Sequence, residues 1–250
     1  AGFSFSVGGN WTNSSNNNVN NLGTVTFNGA GTQTISRTTG TERFNIIDVS
    51  TTGTVLLACS LRVDGDFFLN SGTLDVSASN HVIDFRGPGF YDNATFNARF
   101  GTFLLRGTGP QTLDGFSSTS FWNITLNNAA GATVSFTKNL NNLLTITLGN
   151  FDTGFFGSLI LNATSATQYG RIGPVPAGSS LLGSGWAAEG YVDGPVNAYW
   201  QYFSTPINGN TLQDWDGDTR FYMSGTGGND GNACCPVFHS VRTYSTVTNT

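Results

Sequence analysis

Short alternating segments recur along the first two thirds of the chain. Apolar residues alternate with Thr, Ser, Asn or Asp in segments such as Thr24-Val-Thr-Phe27, Phe44-Asn-Ile-Ile47 and Thr73-Leu-Asp-Val76. A period of two residues is typical of a strand with one buried face. No stretch before residue 178 has the 3.6-residue period of a capped amphipathic helix. The pattern therefore predicts a succession of short strands.

An internal repeat with an offset of 78 residues accompanies these strands. The segment Phe27-Asn-Gly-Ala-Gly-Thr-Gln-Thr-Ile35 aligns with Leu105-Arg-Gly-Thr-Gly-Pro-Gln-Thr-Leu113. We interpret the alignment as two copies, near residues 23–100 and 101–178. If so, Phe27 and Leu105 are buried at matching positions of the two units, and so are Ile35 and Leu113.

Short strands on a repeating unit favour an all-β fold in which residues 1–178 form a β-solenoid similar to a parallel β-helix. A pair of small β-sandwiches is the alternative. From Arg171 the composition changes: Gly173-Pro-Val-Pro176 and Gly178-Ser-Ser-Leu-Leu-Gly183 suggest a linker at the end of the solenoid, and Trp and Tyr then concentrate in residues 179–250. This change predicts a β-rich cap or the start of a second domain in that region.

The composition excludes several classes of protein. Only 10% of the residues are charged, and the net charge is −5. The abundance of Gly, Asn, Thr and Ser excludes a largely helical protein, while 38% hydrophobic residues argue against disorder. The chain has no basic cluster for nucleic acid and no apolar run of the roughly 20 residues that a membrane span needs. Scarce lysine and five Asn-x-Ser/Thr triplets suit an extracellular protein.

The sequence offers no convincing catalytic site, and we predict that the chain is not an enzyme. Asp64 and Asp66 lie two residues apart with Arg62 beside them, but no further acid or base flanks the pair. There is no Gly-x-Ser-x-Gly motif, and the three cysteines and two histidines lack zinc-site spacing. Cys59 is predicted to be a buried, structural residue.

One acidic segment near the end of the chain has a spacing of aspartates that is typical of a cation-binding loop. Oxygen ligands at alternate residues of a Gly-containing loop can surround Ca²⁺. An acidic, solvated loop is the alternative, because the complete EF-hand pattern is absent. The candidate ligands are Asp214, Asp216, Asp218 and Asp230.

Several motifs resemble those of a known family. They are Gly9-Asn-Trp11-Thr-Asn13, Gly23-Thr-Val-Thr-Phe-Asn-Gly29, Phe121-Trp-Asn-Ile124, Gly190-Tyr-Val-Asp-Gly-Pro195 and Trp200-Gln-Tyr-Phe-Ser-Thr-Pro206. They are similar to the coil motifs of repetitive adhesin-like surface proteins exported by the type IX secretion pathway of Bacteroidota. The resemblance implies a cell-surface protein with no shared catalytic motif. The family's C-terminal sorting domain is missing here, which is consistent with a fragment of a longer protein or with a trimmed product.

These observations predict an extracellular structural or adhesive protein, as a stalk or filament subunit. The alternative is a carbohydrate-binding or carbohydrate-active module that uses the C-terminal aromatic residues on surface glycans. Two alternating segments without charge can pair with another chain, one holding Phe3, Phe5 and Val7 and the other holding Tyr244 and Val247. They predict head-to-tail self-association into a filament, with covalent continuation in a longer chain as the alternative.

Overall fold

The computed structural model describes residues 2–15, 22–165 and 167–189, and all regular secondary structure in these ranges is β. They belong to a unit formed by residues 1–195, whereas the second unit, residues 196–250, lies outside the described residues. No helix in the described ranges has the length and apolar character required to cross a membrane.

The chain winds into a β-solenoid of about seven turns, which confirms the predicted fold class. Parallel pairing joins each turn to the next, and the one antiparallel pair in the described part is β19 with β20. The first twelve strands are β1 (Phe5–Val7), β2 (Trp11–Asn13), β3 (Thr24–Phe27), β4 (Thr32–Arg37), β5 (Glu42–Phe44), β6 (Ile46–Leu57), β7 (Leu61–Val63), β8 (Phe67–Asp75), β9 (Ile83–Phe85), β10 (Gly89–Asp92), β11 (Thr95–Asn97) and β12 (Thr102–Leu105). The remaining strands are β13 (Gln111–Asp114), β14 (Ser120–Asn127), β15 (Ala132–Val134), β16 (Lys138–Leu148), β17 (Phe151–Asp152), β18 (Leu159–Leu161), β19 (Ala163–Ser165), β20 (Gln168–Tyr169), β21 (Arg171–Ile172), β22 (Leu181–Leu182) and β23 (Trp186–Ala188).

Each complete turn contributes strand segments to three columns, numbered in chain order. Column 1 contains β1, β3, β10, β13, β15, β17, β22 and the first parts of β6 and β8. Column 2 contains β2, β4, β11 and the second parts of β6 and β8 in the early turns. In later turns, column 2 consists of the segments that follow column 1 in the chain. These are the first parts of β14 and β16, together with β18 and β23. Column 3 contains β5, β7, β9, β12, β21 and the second parts of β14 and β16.

The core is built by inward side chains that stack in register from turn to turn. In column 3, Phe44, Val63, Phe85 and Leu105 occupy successive paired positions, and all four are buried. Burying one such side chain contributes about 1.5–3 kcal/mol, so a column that continues through every turn holds the turns together. The predicted burial of Cys59 is confirmed as well.

The turn, rather than the 78-residue copy, is the structural unit. In every pair of strands between β1 and β17, the paired residues of neighbouring turns lie 19 to 24 residues apart in the sequence. The extremes are Glu42 with Leu61 and Trp11 with Ile35. The 78-residue offset therefore spans three turns and two further columns, which is one column short of four turns.

The burial that the repeat predicted is confirmed, but the matching positions are wrong. Phe27, Leu105, Ile35 and Leu113 are all buried. However, Phe27 lies in column 1 and Leu105 in column 3, while Ile35 lies in column 2 and Leu113 in column 1. The alternating pattern predicts only that a residue points into the core. Inward residues are buried in all three columns, so the pattern does not say which column a residue occupies.

The repeated motif encodes a corner of the solenoid. The Gln33 amide Nε2 donates hydrogen bonds to the carbonyl oxygens of Val7 (2.7 Å) and Gly9 (2.8 Å) in the preceding turn. Its Oε1 accepts a hydrogen bond from the amide of Gly29 at 2.7 Å. The side chain is buried, so these bonds fix the bend between column 1 and column 2.

Gln111 makes the same three bonds at a different corner. Its Nε2 donates to the carbonyls of Phe85 (3.1 Å) and Gly87 (2.9 Å), and its Oε1 accepts from the amide of Gly107 at 2.8 Å. This corner joins column 3 to column 1. Similar sequences thus make similar corners at two places of the cross-section, which accounts for the repeat.

The solenoid continues beyond its predicted end at residue 178. Strand β22 pairs with β17 and β23 pairs with β18, so residues 181–188 extend both large sheets. The prediction that this stretch is a linker is therefore wrong, because the Gly and Pro residues before it form a loop within the last turn. The predicted cap or second domain lies largely outside the described residues and stays a prediction.

The two glutamine corners generate a stability prediction. Gln33→Ala and Gln111→Ala each leave buried backbone groups without partners, which costs about 1–3 kcal/mol. We expect each variant to lower the midpoint of urea unfolding, measured by circular dichroism. The control is Gln168→Ala in β20, a partly exposed position where we expect less than about 0.5 kcal/mol. Midpoints equal to that of the control would contradict this role of the corners.

Candidate functional site

No enclosed chemical site is found in residues 2–15, 22–165 and 167–189. The concavity lined by Val76, Phe96 and Trp122 has no space for a water molecule. No group of three or more His, Cys, Asp and Glu side chains in these ranges could hold a metal ion. The four candidate calcium ligands named above lie outside the described residues, and that site stays a prediction.

The two aspartates that the sequence offered for catalysis have structural partners. The Asp64 carboxylate pairs with the Arg62 guanidinium at 2.7 Å and also with Arg43. Asp66 Oδ1 accepts a hydrogen bond from the amide of Gly89 in the next turn at 3.2 Å. Asp64 therefore holds neighbouring arginines, and Asp66 holds the start of β10.

The outward side of column 3 concentrates arginine. Asp64 joins Arg43 and Arg62, and Asp84 joins Arg86 (3.0 Å) and Arg106 (2.6 Å). We call these six side chains the arginine face. Four arginines against two aspartates give it a net positive charge in a chain of net charge −5. A guanidinium has five N–H donors, so each arginine keeps donors for an anionic partner.

The most distinctive surface is a corner between column 1 and column 2 in three consecutive turns. Its exposed rings are Phe116 after β13, Phe136 after β15, and Phe155 and Phe156 after β17. The exposed fractions are 82%, 37%, 88% and 84%, respectively. Ring centroids are 4.9 Å apart for Phe116 and Phe136, and 4.8 Å apart for Phe155 and Phe156. We call these four residues the phenylalanine corner.

The two carboxylates beside the phenylalanine corner accept hydrogen bonds from backbone amides of their own turns. Asp114 Oδ1 accepts from the Gly115 amide, and Asp152 Oδ1 accepts from the Gly154 amide, each at 2.7 Å. The residues between the rings and the next strands are Ser, Thr and Gly. An apolar surface with a polar rim is typical of a contact site.

The predicted assembly segment at the start of the chain lies at one end of column 1. Within the described ranges, β1 ends the 12-stranded sheet and pairs with β3 alone. Phe3 and Phe5 are exposed, Val7 is partly buried, and the ring of Phe5 stacks on Trp11 with centroids 5.9 Å apart. The partner residues Tyr244 and Val247 lie outside the described residues, so assembly through these ends stays a prediction.

No protein-family model matches the chain, and no match is found among curated proteins or solved structures. The phenylalanine corner was not anticipated from the sequence. Its only local signal is phenylalanine beside glycine, as in Gly115-Phe116 and Gly154-Phe-Phe-Gly157.

One aspartate gives the fold a dependence on pH. Burial alone raises the pKa of Asp75, but hydrogen bonds from Arg99 (2.7 and 3.1 Å), from the Ser77 amide (2.8 Å) and from Asn97 (3.1 Å) outweigh it. The pKa of Asp75 therefore lies below its usual value. The stabilisation is complete above the unfolded-state pKa of about 4 and is lost as the pH falls through the folded-state pKa.

We expect Asp75→Asn to lower the thermal midpoint at pH 7 and to reduce the loss of stability between neutral and acid pH. The reason is that the variant has no carboxylate for Arg99 to stabilise. The matched control is Asp114→Asn, because Asn keeps an acceptor for the Gly115 amide. Melting curves recorded from pH 7 to pH 2 test this. An unchanged pH dependence in Asp75→Asn would show that the pair does not contribute.

Proposed function

We propose that the chain is an extracellular structural or adhesive protein, a β-solenoid stalk or filament subunit that acts by surface contact without catalysis. The phenylalanine corner carries this proposal. Three of its rings are more than four fifths exposed, and the four rings together follow one corner over three turns. The extracellular location is supported by the scarcity of lysine and by the resemblance of the coil motifs to surface adhesins.

The free energy available from the phenylalanine corner suits a contact site. Covering three nearly exposed rings removes several hundred Å² of apolar surface, on the order of 10 kcal/mol at about 25 cal/mol per Å². This gain is comparable to the roughly 4–15 kcal/mol that association costs in lost freedom. A single contact is therefore weak, and the assembly becomes firm when several subunits meet side by side.

A second copy of the chain is the proposed partner of the phenylalanine corner. The chain has a net charge of −5, so two copies meet most readily through surfaces that carry few charges. The four rings carry no charge, and the two carboxylates beside them, those of Asp114 and Asp152, accept hydrogen bonds within their own turns. Lateral packing through this corner leaves the column ends available for the head-to-tail contact predicted from the sequence.

The test is a triple substitution, Phe116→Ser, Phe155→Ser and Phe156→Ser, in the full secreted chain. We expect the wild-type chain to associate with rising concentration and the variant to stay monomeric, as measured by sedimentation velocity. Phe100→Ser is the matched control, because Phe100 is also exposed but contacts Trp122 at another corner. Equal association of the wild-type chain and the triple variant would contradict the proposal, and so would a wild-type chain that never associates.

The arginine face favours a second candidate function, the binding of acidic glycans. Guanidinium groups bind carboxylates and sulfates in a bidentate manner. We expect Arg86→Gln with Arg106→Gln to weaken retention on an immobilised sulfated polysaccharide, whereas Phe116→Ser has no effect. Lack of retention of the wild-type chain at low salt would eliminate this candidate. Of the C-terminal aromatic residues predicted to bind glycans, Trp186 packs against the core and its Nε1 donates to the Leu182 carbonyl, and the others lie outside the described residues.

A further inference from the structure

A lysine and an aspartate meet in the dry interior of the solenoid. Lys138 begins β16 and Asp92 ends β10, and neither side chain is exposed to solvent. The Lys138 Nζ atom lies 2.7 Å from Asp92 Oδ1. The lysine side chain crosses one intervening turn to reach it, and donates there to the carbonyls of Gly115 (3.0 Å) and Ser117 (2.9 Å).

The surroundings bring the Asp92 carboxyl towards its uncharged form. Burial raises the pKa of Asp92, and the hydrogen bonds from Lys138 and Thr119 oppose this effect without cancelling it. Removing an ammonium and a carboxylate from water is costly even when they are paired. Transfer of one proton along the short contact gives a neutral amine beside a carboxylic acid and removes that cost.

The Asp92 carboxyl also lies near an unused donor, the hydroxyl of Thr119. Asp92 Oδ2 and Thr119 Oγ are buried, and neither makes a hydrogen bond of good length and angle among the described residues. The Thr119 hydroxyl nevertheless lies close enough to stabilise the carboxylate charge. Because Oδ1 already accepts from Lys138, Oδ2 is the oxygen left for this hydroxyl when negative charge develops on the carboxyl.

We propose that Lys138 and Asp92 condense to form an intramolecular isopeptide bond. The ammonium first passes a proton to Oδ1, and the neutral Nζ then attacks the Asp92 Cγ atom. A bond forms between Nζ and Cγ, while Thr119 stabilises the charge on Oδ2. Nζ gives up a second proton to Oδ1, the bond between Cγ and Oδ1 breaks, and one water molecule leaves. The amide keeps one N–H and one carbonyl oxygen, so no oxidant or other reactant is needed.

The fold favours this step in two ways. The carbonyls of Gly115 and Ser117 hold the amine in place, so the reaction is intramolecular between oriented groups. The absence of solvent at both side chains favours loss of water and protects the amide from hydrolysis. The product links positions 46 residues apart and holds two turns together across a third. This inference does not depend on the proposed function.

Mass spectrometry of the denatured full chain tests the proposal. We expect a mass one water lighter than the sequence requires, and tandem spectra of a peptide containing Asp92 joined to a peptide containing Lys138. The joined peptides are decisive, because Asp-Gly sequences such as Asp114-Gly115 also lose water by cyclising. Lys138 is the only lysine of the chain, so an amine-reactive reagent should label the denatured protein at no lysine.

Two variants complete the test. Lys138→Met should restore the full mass, and Thr119→Val should slow formation of the link at least tenfold while leaving it chemically possible. Because Lys138→Met removes a buried partner and its folding is at risk, the labelling of the wild-type chain stands by itself. A denatured wild-type chain with the full mass and a reactive lysine would overturn the proposal. An unchanged rate in Thr119→Val would overturn the role given to Thr119.

Discussion

Parallel, in-register hydrogen bonding between successive turns is the constraint on which the whole structure depends. It places the inward residues of each turn directly over those of the turn before, as with Val25, Ile47, Phe67 and Phe90 in column 1. A shift of one residue would point every apolar side chain of a strand outward, so register and core fix each other. Such a stack has no need of helices or of an enclosed pocket.

The same constraint limits the choice of residue at some positions of the chain and leaves it open at others. Strand interiors must alternate, and the corners must turn, which explains the buried glutamines and the left-handed glycines such as Gly115 (φ +95°) and Gly149 (φ +93°). Outward strand positions and the exposed residues of corner loops are not limited in this way. The arginine face and the phenylalanine corner both lie there, and each extends over several turns because stacking aligns equivalent sites.

The sequence was sufficient for the fold class and insufficient for the surfaces. Alternation predicts strands because burial needs only a period of two, and the shared Gly-x-Gly-x-Gln pattern marks corners. It did not reveal the length of a turn, since Gln33 and Gln111 mark different corners. Exposed Phe155 cannot be told from buried Phe151 by residue type. The contact of Lys138 with Asp92 follows only from the number of residues in the turns between them.

Negative-stain electron microscopy of the purified full chain most directly tests whether this solenoid acts through contact between copies. The images are compared at high protein concentration and after dilution. The account predicts assemblies in which copies lie side by side and which separate on dilution. Isolated particles at every concentration would contradict it.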